Sequence, residues 1–183
     1  MSAPDLVFAD EPALRAWLEA NEASHEGGWL LLAKKGTTSP TALSYHEALL
    51  AALCSGWIDG QRKSIDEATF MIRFTPRRAR SIWSQRNVDL VAQLEAEGRM
   101  RQRGRDEVAK AQADGRWERA YAGSAAIEVP GALREALLAA GAWERFEALS
   151  KSARYSLLHP IVTAARETTR AARIERAVAG LAE

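Results

Sequence analysis

Arginine's planar fork can grip a phosphate or carboxylate with two parallel hydrogen bonds, and this chain gathers that chemistry into one stretch. Between Arg62 and Arg105 stand eleven bases against five acids, whereas the residues before it hold three bases against eight acids and those after it eleven of each. A formal net charge of +1 therefore conceals a basic middle. Arg73, Arg77 and Arg78 lie together in FMIRFTPRR, the last two directly after Pro76, so that they would emerge side by side where a strand ends. Trp57 and Trp83 flank them and could stack on a base or a ring. Asp59, between Ile58 and Gly60, could orient Arg73 or Arg78, or accept a proton in a cleft. These six residues are the candidate ligand-binding set.

Each of them also has a structural reading. The two tryptophans could fill a core between sheet and helices, Arg77 and Arg80 could form surface ion pairs with the acidic N-terminal part, and Asp59 could serve a structural salt bridge. Ser84 and Asn87 read as capping residues at a helix entry. Arg166, Arg170 and Arg173 recur at steps of four and three, which puts them on one helix face. That stripe either extends a basic surface or is solvated and paired with acids such as Glu167.

Other chemistries are poorly provided for. Cys54 is the single cysteine, so no internal disulfide forms, and His25, His46 and His159 are scattered without metal-ligand spacing. No metal, cofactor or catalytic residue is assigned, because Cys54 and His46 come without the orienting group that covalent catalysis requires. No apolar run approaches the roughly 18 to 20 residues of a membrane span, and the start, MSAPDLVFADEPALRAW, has neither a basic nor an apolar leader region. A cytoplasmic protein is the expectation.

The elements that must position the arginines follow from periodicity and stop signals. Leu6 to Phe8 is a short extended run; Asp10 caps a helix with Pro12 in its first turn and Leu14, Trp17 and Leu18 on one face, ending near Asn21. Gly27 and Gly28 precede the strand WLLLAKK, and 36–41 is a loop. Ser44 and Glu47 make a capping box for a helix burying Leu49, Ala52 and Leu53 and stopped by Gly56. Phe70, Ile72 and Phe74 alternate with Met71, Arg73 and Thr75, a half-buried strand that pairs economically with Trp57 to Lys63 and ends at Pro76. Asn87 caps a helix carrying Val88, Leu90, Val91 and Leu94 and closing near Gly98, and a shorter helix runs from Arg105 to Ala113. After a linker at Ala122 to Pro130 the pattern is helical. Pro160 starts the last helix, with Ile161, Ala164, Thr168, Ala171, Ile174, Val178 and Leu181 on its repeat. The fold is thus α+β: a small, mainly antiparallel sheet with flanking helices in residues 1–121, then an all-helical unit over 130–183.

GWIDGQ, the RFTPRR-x-x-S-x-WS-x-x-N run and the following L-x-x-x-GRM resemble the YdeI/OmpD-associated, or bacteriocin-protection, family. The C-terminal VPGALREALLAAGAWERFEALSKSAR and AARETTRAARIERAVAGLA are similar to its helical signature, with Phe146 to Ser150, Thr169-Arg170 and Arg173-Ile174 in the expected places. Ala165 departs from it, standing where relatives commonly carry a lysine. The resemblance implies a small intracellular bacterial protein with an α+β N-terminal part and a helical C-terminal part. It implies protection against bacteriocins or cationic peptides, but no reaction and no catalytic residues.

Two classes of function follow. One is a cytoplasmic binding protein taking a small anionic ligand through Arg73, Arg77 and Arg78 with Trp57 or Trp83. The other is a nucleic-acid binder whose phosphates meet the basic run from Arg73 to Arg105, against which stand a pI near 7.9 and the absence of a helix-turn-helix, zinc-finger or RNP pattern. An enzyme would need an acid and a base in one cleft, with Asp59 as the candidate.

Overall fold

The computed structural model describes residues 4–123 and 125–182. The protein is α+β, with three strands and eight helices among the described residues, and it divides into two units. The first runs to Ser81 and takes in Asn87–Glu118; the second takes Ile82–Arg86 and the chain from Arg119 onward.

In the first unit, α1 (Glu11–Asn21) begins on Asp10, whose carboxylate accepts from the Ala13 N–H at 3.0 Å. Its buried residues are Leu14 and Leu18. The capping box of α2 (Tyr45–Cys54) is complete. Ser44 Oγ accepts from the Glu47 N–H at 3.3 Å, and the Glu47 carboxylate accepts from the Ser44 N–H at 2.9 Å. Leu49, Ala52 and Leu53 are only part of what α2 buries. Every residue from Ala48 to Cys54 is inside, because α1 and β2 (Trp57–Ser64) pack along the helix while α4 (Gln102–Ala113) meets its C-terminal end.

With β1 (Gly28–Ala33) and β3 (Thr69–Pro76), β2 forms an antiparallel sheet in the order β1-β3-β2. The β2–β3 hairpin is the expected one. Asp66 holds its turn, Oδ1 accepting from the Thr69 N–H at 2.6 Å, the Thr69 hydroxyl at 3.0 Å and the Ala68 N–H at 2.8 Å, and these bonds keep its carboxyl below the usual range. Leu30, Leu32, Phe70, Ile72, Phe74 and Trp57 form the core with the inner faces of α1 and α2. The alternation of β3 predicts one solvated face, yet Met71 is 2% and Leu31 6% exposed, so both faces are covered there. Lys63 contributes: from β2 its stem crosses the middle strand and places the ammonium 4.0 Å from the centre of the Trp29 ring on β1.

The starts of α3 and α4 differ from expectation. α3 (Gln85–Ala96) begins ahead of Asn87, which is a buried residue of its first turn rather than its cap. Ahead of it Ser84 bridges Tyr121, whose carbonyl accepts from the Gln85 N–H at 2.9 Å and so satisfies one of the donors at the start of the helix. α4 begins at Gln102 rather than Arg105, and its N-cap, Arg101, makes no side-chain cap. Instead the Arg101 N–H donates to the Cys54 carbonyl at 3.2 Å, joining the start of α4 to the end of α2. Between α3 and α4, Gly98 at φ +68° lets the Arg99 N–H reach back to the Leu94 carbonyl at 2.9 Å, a left-handed turn that closes α3.

The second unit carries α5 (Gly131–Ala139), α6 (Trp143–Ala148), α7 (Lys151–Val162) and α8 (Glu167–Ala182). Leu133, Leu137, Ala142, Phe146, Leu158, Ile161 and Ile174 are its core. The stretch 122–130 holds neither helix nor strand among its described residues, Ser124 lying outside them. Pro160 does not start the last helix; it sits in the last turn of α7. Proline there removes only the bond to the carbonyl of Ser156, which lies on the exposed side. The chain breaks after Val162 and α8 starts afresh at Glu167, which rotates the expected stripe. Ile174 is buried and Val178 and Leu181 pack on the core, but Thr168 and Ala171 face solvent.

Candidate functional site

The six candidate residues take three different roles. Trp57, the first residue of β2, is 1% exposed and belongs to the core. Its indole N–H donates to the Glu22 carbonyl at 3.3 Å, Trp17 meets it edge-on at 5.9 Å, and His25 stacks at 6.4 Å. The cavity beside it is lined by apolar side chains and measures about 10 Å³, room for no ligand. Asp59 is half-buried two residues on, and its partner is a phenol rather than a guanidinium, the Tyr45 hydroxyl donating to it at 2.8 Å. It makes no ion pair among the described residues. Trp83 is also buried and lies in the second unit, its carbonyl accepting from the Tyr121 N–H at 2.9 Å.

The arginines stand where β3 runs out. Arg73 is on the strand and exposed; Arg77 is 7% exposed and its N–H donates to the Gly56 carbonyl at 3.0 Å, extending the hairpin by one bond. Arg78 opens a turn in which its N–H donates to Ser81 Oγ at 2.9 Å while the Ser81 N–H returns to the Arg78 carbonyl at 2.8 Å. Arg116 pins that turn through a 2.8 Å bond to the Ser81 carbonyl and is itself held by both oxygens of Asp114. The turn therefore carries Arg78 and exposed Arg80 on an ordered backbone.

How the remaining bases are used sets these apart. Arg62 lies 4.1 Å from the centre of the Phe70 ring. Arg99 pairs with Glu97 at 3.0 Å, Arg105 with Glu95 at 3.0 Å, and Arg101 grips both Glu19 and Glu22 of the N-terminal part. Arg101 is thus an arginine that meets the acidic N-terminal part, and Arg80 pairs with no acid there among the described residues. Arg73, Arg78 and Arg80 have no carboxylate partner among the described residues.

The arginine stripe of the C-terminal helix has structural work. Arg173 donates to the Pro160 carbonyl and Arg170 to that of Ala164, satisfying the end of α7. Arg154 does the same for α6, reaching the carbonyls of Glu147 at 2.8 Å and Leu149 at 3.2 Å, and Arg145 for α8, at the Leu181 carbonyl.

Sequence reasoning missed a second polar concavity, a cavity of about 250 Å³ in the first unit between α1, the end of α2 and the Gly98–Arg101 turn. Its signal was the spacing of Glu11, Arg15 and Glu19, four residues apart on one face of α1. Cys54 lies at its floor with a thiol pushed up by burial, the opposite of a nucleophile's tuning. Among the described residues no group of three metal-ligating side chains occurs, and no helix is long and apolar enough to cross a membrane.

Compared with known protein families, residues 6–107 match a domain of unknown function, DUF8412, and residues 126–183 match the family described as bacteriocin-protection, YdeI or OmpD-associated. No curated protein and no solved structure matches the chain.

Proposed function

The chain belongs to the DUF8412 family and carries a YdeI/OmpD-associated domain behind it, and from that premise we propose that it is a cytoplasmic binding protein for a small phosphate- or carboxylate-bearing ligand. The ligand is taken along the second half of β3 and the turn after it by Arg73 and Arg78, with Arg80 on the same turn as Arg78 and buried Arg77 setting the course of the backbone. The observation that supports this reading is the division of the basic segment. Arg99, Arg101 and Arg105 downstream are neutralised by Glu97, Glu19 with Glu22, and Glu95, while Arg73, Arg78 and Arg80 stay exposed without a carboxylate among the described residues. Trp57 supports the hairpin from the core rather than stacking on the ligand, and the Asp59–Tyr45 bond fixes the strand next to β3.

That division also weighs against a long nucleic-acid track from 73 to 105, since a phosphate backbone would have to displace the acids already seated on Arg99, Arg101 and Arg105. Titration calorimetry with pyrophosphate and citrate, beside fluorescence polarisation of labelled oligonucleotides over a salt series, tests the reading. A small anion should bind, and Arg73→Ala/Arg78→Ala should weaken it at least about tenfold, charge-assisted hydrogen bonds being worth roughly 1.5–3 kcal/mol each. Absence of binding at low salt, or equal binding by the double variant, refutes it. Oligonucleotide binding that falls steeply with salt would make the ligand a nucleic acid instead.

A further inference from the structure

The cavity on α1 holds charges of both signs that are not fully used on each other. Arg101 commits all three of its nitrogens: Nη1 goes to Glu19, Nε to Glu22 at 2.9 Å and Nη2 to the same carboxylate at 3.5 Å. Arg99 spends only Nη1, on Glu97. Arg15 approaches Glu11 at 3.9 Å, an ion-pair distance too long for a hydrogen bond, so all its donors remain available. The carboxylate of Glu11 is equally uncommitted, although its side chain is only 19% exposed. Two guanidiniums and one carboxylate thus border a hollow of about 250 Å³, whose floor of Ala51, Cys54 and Ser55 is small and closed.

This lining discriminates by charge pattern. A plain anion drawn to Arg15 and Arg99 meets Glu11 and Glu19; a plain cation drawn to the glutamates meets the arginines. A molecule bearing both charges a few ångströms apart satisfies both walls. Sites for drug-sized ligands run from about 300 to 1,000 Å³, so the occupant is smaller than those.

We infer that the cavity between α1, the end of α2 and the Gly98–Arg101 turn binds a small zwitterion of α-amino-acid size, its carboxylate held by Arg15 and Arg99, its ammonium by Glu11, and its side chain over Ala51 and Cys54. The site shares no residue with the arginines at the end of β3, so the two stand or fall separately. Titration calorimetry of the full chain with glycine, alanine, serine and glutamate tests it, with acetate and methylammonium as singly charged controls and Arg99→Met and Glu11→Gln as variants. Both substituted side chains are near the surface, and unfolding curves confirm that the variants fold. At least one amino acid should bind at least tenfold more tightly than acetate or methylammonium, and either substitution should weaken it about tenfold or more. Acetate binding as well as the amino acids would make this a plain anion site and overturn the inference; so would binding unchanged in both variants, or no heat from any of the four amino acids.

Discussion

Replacing Gly104 by alanine sets two forces in this fold against each other. Gly104 lies in the first turns of α4, and in an open helix the change would stabilise by about 1 kcal/mol, because alanine loses less backbone freedom on folding. Here the new Cβ would stand 2.4 Å from the Cys54 carbonyl oxygen and 2.9 Å from that of Leu53, with Met100 Cε also at 2.9 Å. The methionine can swing away, but the two oxygens are the end of α2, which is buried from Ala48 to Cys54 and has nowhere to go. α4 must retreat by about 1 Å, from 2.4 Å to ordinary contact at 3.4 Å. That stretches the 3.2 Å bond from the Arg101 N–H to Cys54. Overpacking costs about 1–3 kcal/mol and a weakened backbone hydrogen bond about 1 more, so after the propensity gain the net loss is about 1–3 kcal/mol. Urea unfolding followed by tryptophan fluorescence measures it. Gly180→Ala in α8 is the control, since its Cβ meets nothing within 4 Å and should be neutral or stabilising by up to about 1 kcal/mol. Gly104→Ala as stable as the parent, or the two variants responding alike, would refute the close contact between α4 and the end of α2.

Ser44→Ala should cost about 1 kcal/mol by opening the capping box. The Ser44 hydroxyl, then its N–H, hold the Glu47 carboxyl below its ordinary 4.5, so this stabilisation is present above that pH and lost as pH falls through the lowered value. The variant should flatten the acid limb of the stability curve. Burial pushes His159, flanked by Tyr121 and Tyr155, below its ordinary 6.5, so the unfolded chain takes up the proton first. Stability of the second unit should therefore fall as pH drops below 6.5, and His159→Gln should remove that slope in thermal unfolding. Arg173→Met should destabilise by about 1 kcal/mol through the uncapped Pro160 carbonyl, whereas Arg166→Met, on an exposed residue, should stay within about 0.5 kcal/mol. Chemical unfolding compares the two.

The parts of the fold that sequence makes legible are those decided locally. The caps at Asp10 and Ser44 depend on side chains within three residues of the backbone they satisfy, and the β2–β3 hairpin on alternation and a turn. The misreadings concern where helices begin, which a distant segment or the run of a neighbouring helix decides. Asn87 resembles a cap until Tyr121 supplies the carbonyl that α3 needs, and Pro160 resembles a helix start until α7 ends just beyond it. Among the candidate residues, Arg73 and Arg78 come out exposed and Trp57 buried, an outcome set by which face of the hairpin meets α1 and α2. Of the cavity on α1 only the Glu11, Arg15, Glu19 spacing is legible in sequence, because Arg99 and Arg101 are 84 and 86 positions beyond Arg15 in the chain.

Arginine's distribution of duties ties the two sites to the fold and makes them separable. In the second unit guanidiniums close the ends of α6, α7 and α8, positions where a cation also complements the helix dipole. In the first unit Arg101 and Arg105 clamp acids across the chain. An exposed arginine without a partner contributes little to stability, so Arg73, Arg78 and Arg80 are explained by the fold less than any of these. Their field is of one sign, and a ligand held by it should weaken as salt screens exposed charge over about 10 Å at 0.1 M. The α1 cavity presents both signs to a ligand that carries both, so its attraction is short-ranged and its long-range field small. Raising the salt should therefore weaken pyrophosphate at the end of β3 markedly while leaving an amino acid in the cavity nearly unaffected. Equal salt dependence at the two would mean that the cavity's glutamates play no part in binding.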